Sequence, residues 1–208
     1  NLMTLAHQQC GFNSHEVLST PLRRPQEYRS VSRQLLQWIS RRWLYNIPRS
    51  LKTEGLRPLG RLALVNHAER IVGAAKTAIE DASSEQALAQ SRENTGIDFI
   101  ADEPRVVVIS SISGGTRSGM VADLAYLAGQ LLTQTGAASG DVLGLLAHFT
   151  PRDPRFAELA SVNAYATLSE LNHYGRWGGI YPGEKALGVP AQEDGHGPFS
   201  DVYLVDMG

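Results

Sequence analysis

In the second half of the chain, segments with the apolar pattern of a β-strand alternate with segments that have the apolar pattern of a helix. Residues 105–112 form a β-branched apolar run, which is typical of a buried parallel strand. Residues 120–134 carry apolar side chains at helical spacing, and residues 156–174 also predict a helix. Residues 142–149 and 202–206 repeat the strand pattern. This order of strands and crossover helices predicts an α/β fold with a mainly parallel sheet.

The first half of the chain predicts helices joined by loops. Residues 28–45 predict a helix that ends before Pro48, because proline cannot continue a helix. Residues 66–82 predict a second helix, and residues 83–96 predict a short helix and a loop. The apolar stripe of the first helix consists of Val31, Leu35, Ile39 and Trp43. The second helix has Asn66 as its expected cap, and its buried side consists of Ile71, Ala75, Ala78 and Ile79.

A turn of small residues separates the strand at 105–112 from the helix that follows it. Its members are Ser113, Gly114, Gly115, Thr116, Arg117, Ser118 and Gly119. The first N–H groups of a helix lack intrahelical partners and carry partial positive charge, so a helix start can bind an anion. Glycines let the backbone approach a phosphate closely, and the three hydroxyls can cap the helix or contact phosphate oxygens. The turn therefore predicts a phosphate-binding loop; the alternative is a glycine-rich turn that only starts a helix.

The residues of this turn exclude the commonest phosphate loops. No Lys followed by Ser or Thr ends it, so it is not a mononucleotide P-loop, and the dinucleotide pattern G-x-G-x-x-G is also absent. Ser118 lies one position too late for the nucleophile elbow of a hydrolase.

The turn resembles the G-G-T-G-S-G signature loop of the tubulin/FtsZ superfamily, with Arg117 in place of the middle glycine. The order of the remaining elements is similar to that of the bacterial tubulin-like branch. The matching segments are residues 56–64, 123–127, 142–149, 163–168 and 202–206. The resemblance implies a Rossmann-like, three-layer α/β domain with helices on both faces of its sheet. It also implies binding of GTP or GDP, with Mg²⁺ as a further candidate, and head-to-tail self-association in the cytoplasm.

Family members carry a first glycine-rich loop after their first strand, and nothing before residue 56 is similar to it. Their base-contacting Asn follows the strand similar to residues 202–206, and this chain stops at Gly208. We therefore expect a piece of a longer protein, with a basic lead-in and helix at 1–55 and a partial nucleotide-binding domain at 56–208. In this family hydrolysis is completed by an acidic loop of the next subunit, so the catalytic residues stay unknown here.

Arg117 is the departure from the family pattern, and two interpretations of it stay open. Its guanidinium either reaches a phosphate as a charge-assisted donor or points into solvent. A left-handed backbone at this position would cost an arginine roughly 1–2 kcal/mol. Ligands of parallel sheets bind at the carboxyl ends of the strands. Thr150, Arg152 and Asp206 are therefore candidates for the ribose and base side of the pocket, the alternative being that they are turn residues.

Composition narrows the function further. The net charge of −2 argues against nucleic-acid binding, and no membrane span is expected because the apolar runs are short. Residues 1–70 carry 11 Lys or Arg and 4 Asp or Glu, whereas the remainder carries 8 and 17. This polarity could serve head-to-tail association, or the two halves could neutralise each other within one fold. The lone Cys10 fits a reducing compartment, and the scattered His148, His173 and His196 suggest no metal site.

Residues 175–199 hold seven Gly and three Pro, and we expect an insertion that acts as a lid or as a surface for a protein partner. Tyr181 and Lys185 have the spacing of the short-chain dehydrogenase pair, but the Pro-Gly between them breaks the helix that this chemistry needs. Two hypotheses remain: a GTP-binding protein that hydrolyses nucleotide on assembly, and a non-catalytic tubulin-like scaffold. A third, an unrelated α/β phosphosugar or cofactor enzyme, lacks a recognisable catalytic group.

Overall fold

The computed structural model describes residues 17–97, 104–137, 140–176, 179–192 and 195–208. Cys10 and the first part of the predicted lead-in lie outside these residues. None of the helices in the described ranges is long and apolar enough to cross a membrane.

The single helix predicted for residues 28–45 is wrong. A 3-10 turn at Pro25–Tyr28 is followed by two short helices, α1 (Ser32–Leu35) and α2 (Arg41–Tyr45). The break falls at Ser40, which is extended with φ −69° and ψ 152°. The predicted stripe is only partly buried, because Leu35 and Ile39 are in the core whereas Val31 is exposed.

Three helices follow: α3 (Arg57–Asn66), α4 (Ala68–Ala82) and α5 (Glu85–Thr95). Asn66 is the last residue of α3 and does not cap α4, so that prediction is wrong. The residue at the N-cap of α4 is His67, and the Asn66 amide nitrogen has no hydrogen-bond partner among the described residues. On the expected buried side of α4, Ala78 is exposed and the other three positions are partly buried.

The sheet has three parallel strands in the order β1 (Val106–Ser111), β2 (Val142–His148) and β3 (Asp201–Asp206). The short helix α6 (Gly115–Ser118) and the longer α7 (Val121–Gln134) connect the first two strands, and α8 (Pro154–Arg176) follows β2. The register pairs Val106 with Val142 and Leu143 with Asp201. The predicted α/β class with a parallel sheet flanked by helices is confirmed.

The two faces of the sheet differ in burial. Ile112 and Leu146 are fully buried beneath α7 and α8. Val107 and Ile109 point to the other face, since side chains alternate along a strand, and they are 52% and 72% exposed.

One hydrophobic cluster joins distant parts of the chain. Leu22, Leu44 and Leu62 pack in the same cluster as Tyr181 and Val189. Tyr181 also forms an antiparallel bridge to Gln192. This part of the predicted insertion is therefore a packed element of the core. The domain boundary at residue 55 stays a prediction.

Candidate functional site

The carboxyl ends of the three strands meet at one edge of the sheet. The backbone N–H of Phe149 donates to the Ser113 Oγ at 3.0 Å, which links the segments that follow β1 and β2. The N–H of Thr150 donates to the Gly208 carbonyl at 3.0 Å, which links the segments that follow β2 and β3. The structure thus brings Ser113, Thr150 and Asp206 to the same edge, as parallel strands require.

The first half of the small-residue turn is open. Gly114 is extended, with φ −94° and ψ 147°, and it stands at the N-cap of α6. The N–H groups of the first turn of a helix have no intrahelical acceptor. No side chain of the described residues caps this helix. A Cβ placed on Gly114 would meet no atom within 4 Å. The side of the turn onto which a Gly114 Cβ would project is therefore open.

The other glycines of the turn serve close packing against α3 and the two residues that precede it. A Cβ on Gly115 would lie 2.5 Å from the Leu56 nitrogen, and a Cβ on Gly60 would lie 2.6 Å from the Thr116 carbonyl oxygen. A Cβ on Gly119 would lie 3.0 Å from the Arg61 nitrogen and overlap the Arg57 carbonyl oxygen. Only glycine lets the two backbones approach this closely.

The three hydroxyls of the turn differ in accessibility. Ser118 is fully buried, and its hydroxyl faces the Gly115 carbonyl at 3.5 Å. Ser113 is also buried and accepts the N–H of Phe149. Thr116 is half-buried, and its hydroxyl lies 2.6 Å from that of Thr53. Of the three, Thr116 is the least buried.

Arg117 is exposed, and its side chain forms no ion pair or hydrogen bond with the residues that the structure describes. It lies within α6, and the described non-glycine residues with positive φ are Leu51 and Glu54. Because the backbone of Arg117 is helical, the cost of a left-handed backbone considered from the sequence does not arise. Its side chain is available to an anion in front of the turn or to solvent.

The remaining candidates lie at the rim of the same edge. Arg152 is exposed in the segment between β2 and α8. Asp206 has a side chain that is 82% exposed and accepts the N–H of Gly208 at 3.1 Å. Its Oδ1 lies 3.9 Å from the Nδ1 of His148, which forms an ion pair with it when the imidazole is protonated. The structure places these residues at one edge, and their ribose and base roles stay predictions.

Helix α8 contributes polar contacts that sequence reasoning missed. The Asn163 amide donates to the Gly55 carbonyl at 2.9 Å and to the Ser113 carbonyl at 3.2 Å. Glu170 forms an ion pair with Arg57, whose Nε donates to the Ser118 carbonyl at 3.1 Å. Asn163, Thr167 and Glu170 share one helix face, since they are four and then three residues apart. That polar spacing was the available signal.

A buried charge cluster attaches the 179–192 segment beside the turn. The Arg61 guanidinium pairs with Asp123 at 3.1 Å and with Glu184 at 3.2 Å. It also lies over the Trp38 ring, 4.8 Å from its centroid. Burial opposes the charge of Arg61, but the carboxylates of Asp123 and Glu184 outweigh it and raise the Arg61 pKa.

Tyr181 completes this cluster. Its hydroxyl donates to the Asp123 Oδ1 at 2.6 Å, and its ring stacks on Tyr126 with centroids 3.9 Å apart. Burial, and then the neighbouring Asp123 carboxylate, raise the pKa of Tyr181 far above its ordinary value. The phenol therefore stays protonated and donates to the carboxylate.

Within the described residues, no group of three or more His, Cys, Asp or Glu side chains could hold a metal ion. A scan against protein families matches the tubulin-like family over residues 4–208. Searches of curated proteins and of solved structures found no match. The family match covers nearly the whole chain. The chain therefore belongs to the tubulin-like family.

Proposed function

We propose that the chain binds a guanine nucleotide, GTP or GDP, with its phosphates in front of Gly114. The observation that carries the proposal is the open, extended Gly114 before a helix start that no described side chain caps. Family membership supports guanine over other phosphate compounds, because nucleotide binding at this turn is what the tubulin/FtsZ resemblance implies.

The residues of the open side take distinct roles in this proposal. The N–H groups of the first turn of α6 donate to phosphate oxygens, and the hydroxyl of Thr116 adds a donor. Arg117 contributes a charge-assisted hydrogen bond from its exposed guanidinium. Thr150, Arg152 and Asp206 face the ribose and base. Mg²⁺ enters with the phosphates, because this ion keeps few protein ligands in nucleotide sites.

Hydrolysis belongs to the assembled state in the same proposal. We place the catalytic acid on a neighbouring subunit, as the family resemblance implies, and the subunits associate head to tail in the cytoplasm. The basic first 70 residues and the acidic remainder favour this polarity of contact. Contact with a protein partner through residues 175–199 is a further part of the proposal.

A non-catalytic scaffold is the alternative, and one observation favours it. Four of the seven turn residues are buried against neighbouring segments: Ser113, Gly115, Ser118 and Gly119. The turn can therefore hold the fold together without a nucleotide.

Calorimetric titration of GDP, GTP and ATP into the chain and into Gly114→Val tests the proposal. Valine fits the extended backbone of Gly114, but its side chain fills the space for the phosphate. Loss of one charged hydrogen bond costs about 1.5–3 kcal/mol, which is roughly a 10- to 150-fold loss of affinity. Gly73→Val is the matched control, because Gly73 also has open space around it and lies on α4.

Three outcomes decide between the hypotheses. Guanine-selective binding that Gly114→Val weakens and Gly73→Val spares supports the proposal. Equal affinity in all three proteins places any bound nucleotide elsewhere. Absence of binding by the unaltered chain favours the scaffold.

A further inference from the structure

We propose that α8 fixes both ends of the nucleotide-binding turn, and that Asn163 and Glu170 are positioning residues for nucleotide affinity. This inference rests on the proposed function. Each acts through a backbone carbonyl of the turn, Asn163 directly and Glu170 through Arg57.

Asn163 controls the beginning of the turn. Its amide nitrogen has two hydrogens, and these go to the Ser113 and Gly55 carbonyls. The side chain is buried, so water cannot replace these bonds at little cost. In a trans peptide the carbonyl and the next N–H point in opposite directions. By holding the Ser113 carbonyl, Asn163 therefore sets the direction of the Gly114 N–H.

Glu170 controls the end of the turn through Arg57. The Nε of Arg57 donates to the Ser118 carbonyl, while another nitrogen of the same guanidinium pairs with Glu170. The side chains of Arg57 and Glu170 are 22% and 32% exposed, respectively. The planar guanidinium joins the two contacts rigidly, so the carboxylate fixes where Arg57 holds the turn.

The two contacts belong to one polar face of α8. Between them Thr167 is fully buried and donates its hydroxyl to the Asn163 carbonyl at 2.8 Å. Through Asn163, and through Glu170 with Arg57, the helix contacts the Ser113 and Ser118 carbonyls. A shift of α8 would therefore move Ser113 and Ser118 together and change the orientation of the N–H groups between them.

The experiment compares Glu170→Gln and Asn163→Asp with the unaltered chain. Hydrogen exchange of the turn amides and affinity for GDP are measured together with the melting temperature. We expect exchange at residues 114–119 to rise by at least threefold and GDP affinity to fall three- to tenfold. Glu80→Gln is the matched control, because Glu80 forms an exposed ion pair with Lys76 on α4.

The exchanged pair Arg57→Glu with Glu170→Arg separates positioning from simple stabilisation. It restores opposite charges, but a glutamate at position 57 cannot donate to the Ser118 carbonyl. We expect the melting temperature to return towards the original value while turn exchange and GDP affinity stay altered. Recovery of all three would show that the pair only stabilises the fold.

Exchange data decide the inference even if the unaltered chain binds no GDP. In that case the proposed function fails, and raised exchange at residues 114–119 in Glu170→Gln still supports control of the turn by α8. Unchanged exchange in both single variants overturns the inference, whether or not GDP binds.

Discussion

Alanine at Gly115 and alanine at Gly114 should change stability in opposite directions. At Gly115 the new Cβ must move from 2.5 Å to at least 3.4 Å from the Leu56 nitrogen and from the Gly55 carbonyl oxygen. These are backbone atoms, and the Gly55 carbonyl is held by Asn163. At Gly114 the Cβ meets nothing, and φ −94° suits any residue.

The magnitudes follow from these contacts. Overpacking costs about 1–3 kcal/mol, and the upper part of that range, about 2–3 kcal/mol, applies because the neighbours are backbone atoms. The better helix propensity of alanine returns about 1 kcal/mol. The net loss of about 1–2 kcal/mol for Gly115→Ala corresponds to a melting temperature lower by roughly 2–8 °C in a protein of this size. Gly114→Ala should gain about 0.4–1 kcal/mol, because alanine restricts the unfolded chain.

Scanning calorimetry without nucleotide measures both variants, and urea unfolding followed by circular dichroism checks the free energies. The comparison between neighbouring glycines removes effects of composition. A Gly115→Ala protein that melts at or above the temperature of the unaltered chain would refute the assignment of Gly115 to close packing against α3.

Two further predictions concern single side chains. Arg117→Gly should weaken GDP binding by about 1–3 kcal/mol in calorimetric titration if the guanidinium contacts phosphate, whereas tighter binding would identify the arginine as an obstruction. Tyr181→Phe should lower the free energy of unfolding by about 1–3 kcal/mol at pH 7, because the buried Asp123 carboxylate loses a donor. The raised pKa of Tyr181 is stabilising below the unfolded value near 10.0 and that contribution is lost as the pH rises above it. Between pH 9 and pH 11 the free energy of unfolding, measured by urea titration, should therefore fall less in Tyr181→Phe than in the unaltered chain. An equal fall in both proteins would contradict this contribution.

The sequence predicted those parts of the fold that local pattern determines. The strand β1 and the helix α7 followed from apolar spacing, and the turn between them followed from its small residues. Asn66 was predicted to cap α4 because asparagine is a favoured N-cap residue. The N-cap residue is instead His67, which makes no capping side-chain hydrogen bond. The helix over 28–45 failed because its apolar spacing continued through Ser40, where the extended backbone interrupts it.

Long-range contacts explain what sequence reasoning missed at the site. Tyr181 lies in a glycine- and proline-rich segment that predicted an insertion, yet its hydroxyl bonds to Asp123, 58 residues earlier. Arg57 and Glu170 are 113 residues apart, and no local pattern connects them. The polar spacing on α8 was visible, but its partners at Ser113 and Gly55 were not.

The turn has two sides, and this separates the two functional hypotheses in physical terms. Gly115 is constrained by the backbone of Gly55 and Leu56, and Gly119 by the backbone of α3, so both would persist in a scaffold that binds nothing. Gly114 lies on the open side, where a nucleotide would impose the constraint. Arg117 stands where the signature that the turn resembles has glycine, and it is exposed within a helical backbone, so packing does not require glycine here. Under the proposal, nucleotide binding depends on the open side. Variants of Gly114 and Arg117 should therefore report on function, whereas variants of Gly115 report on the fold.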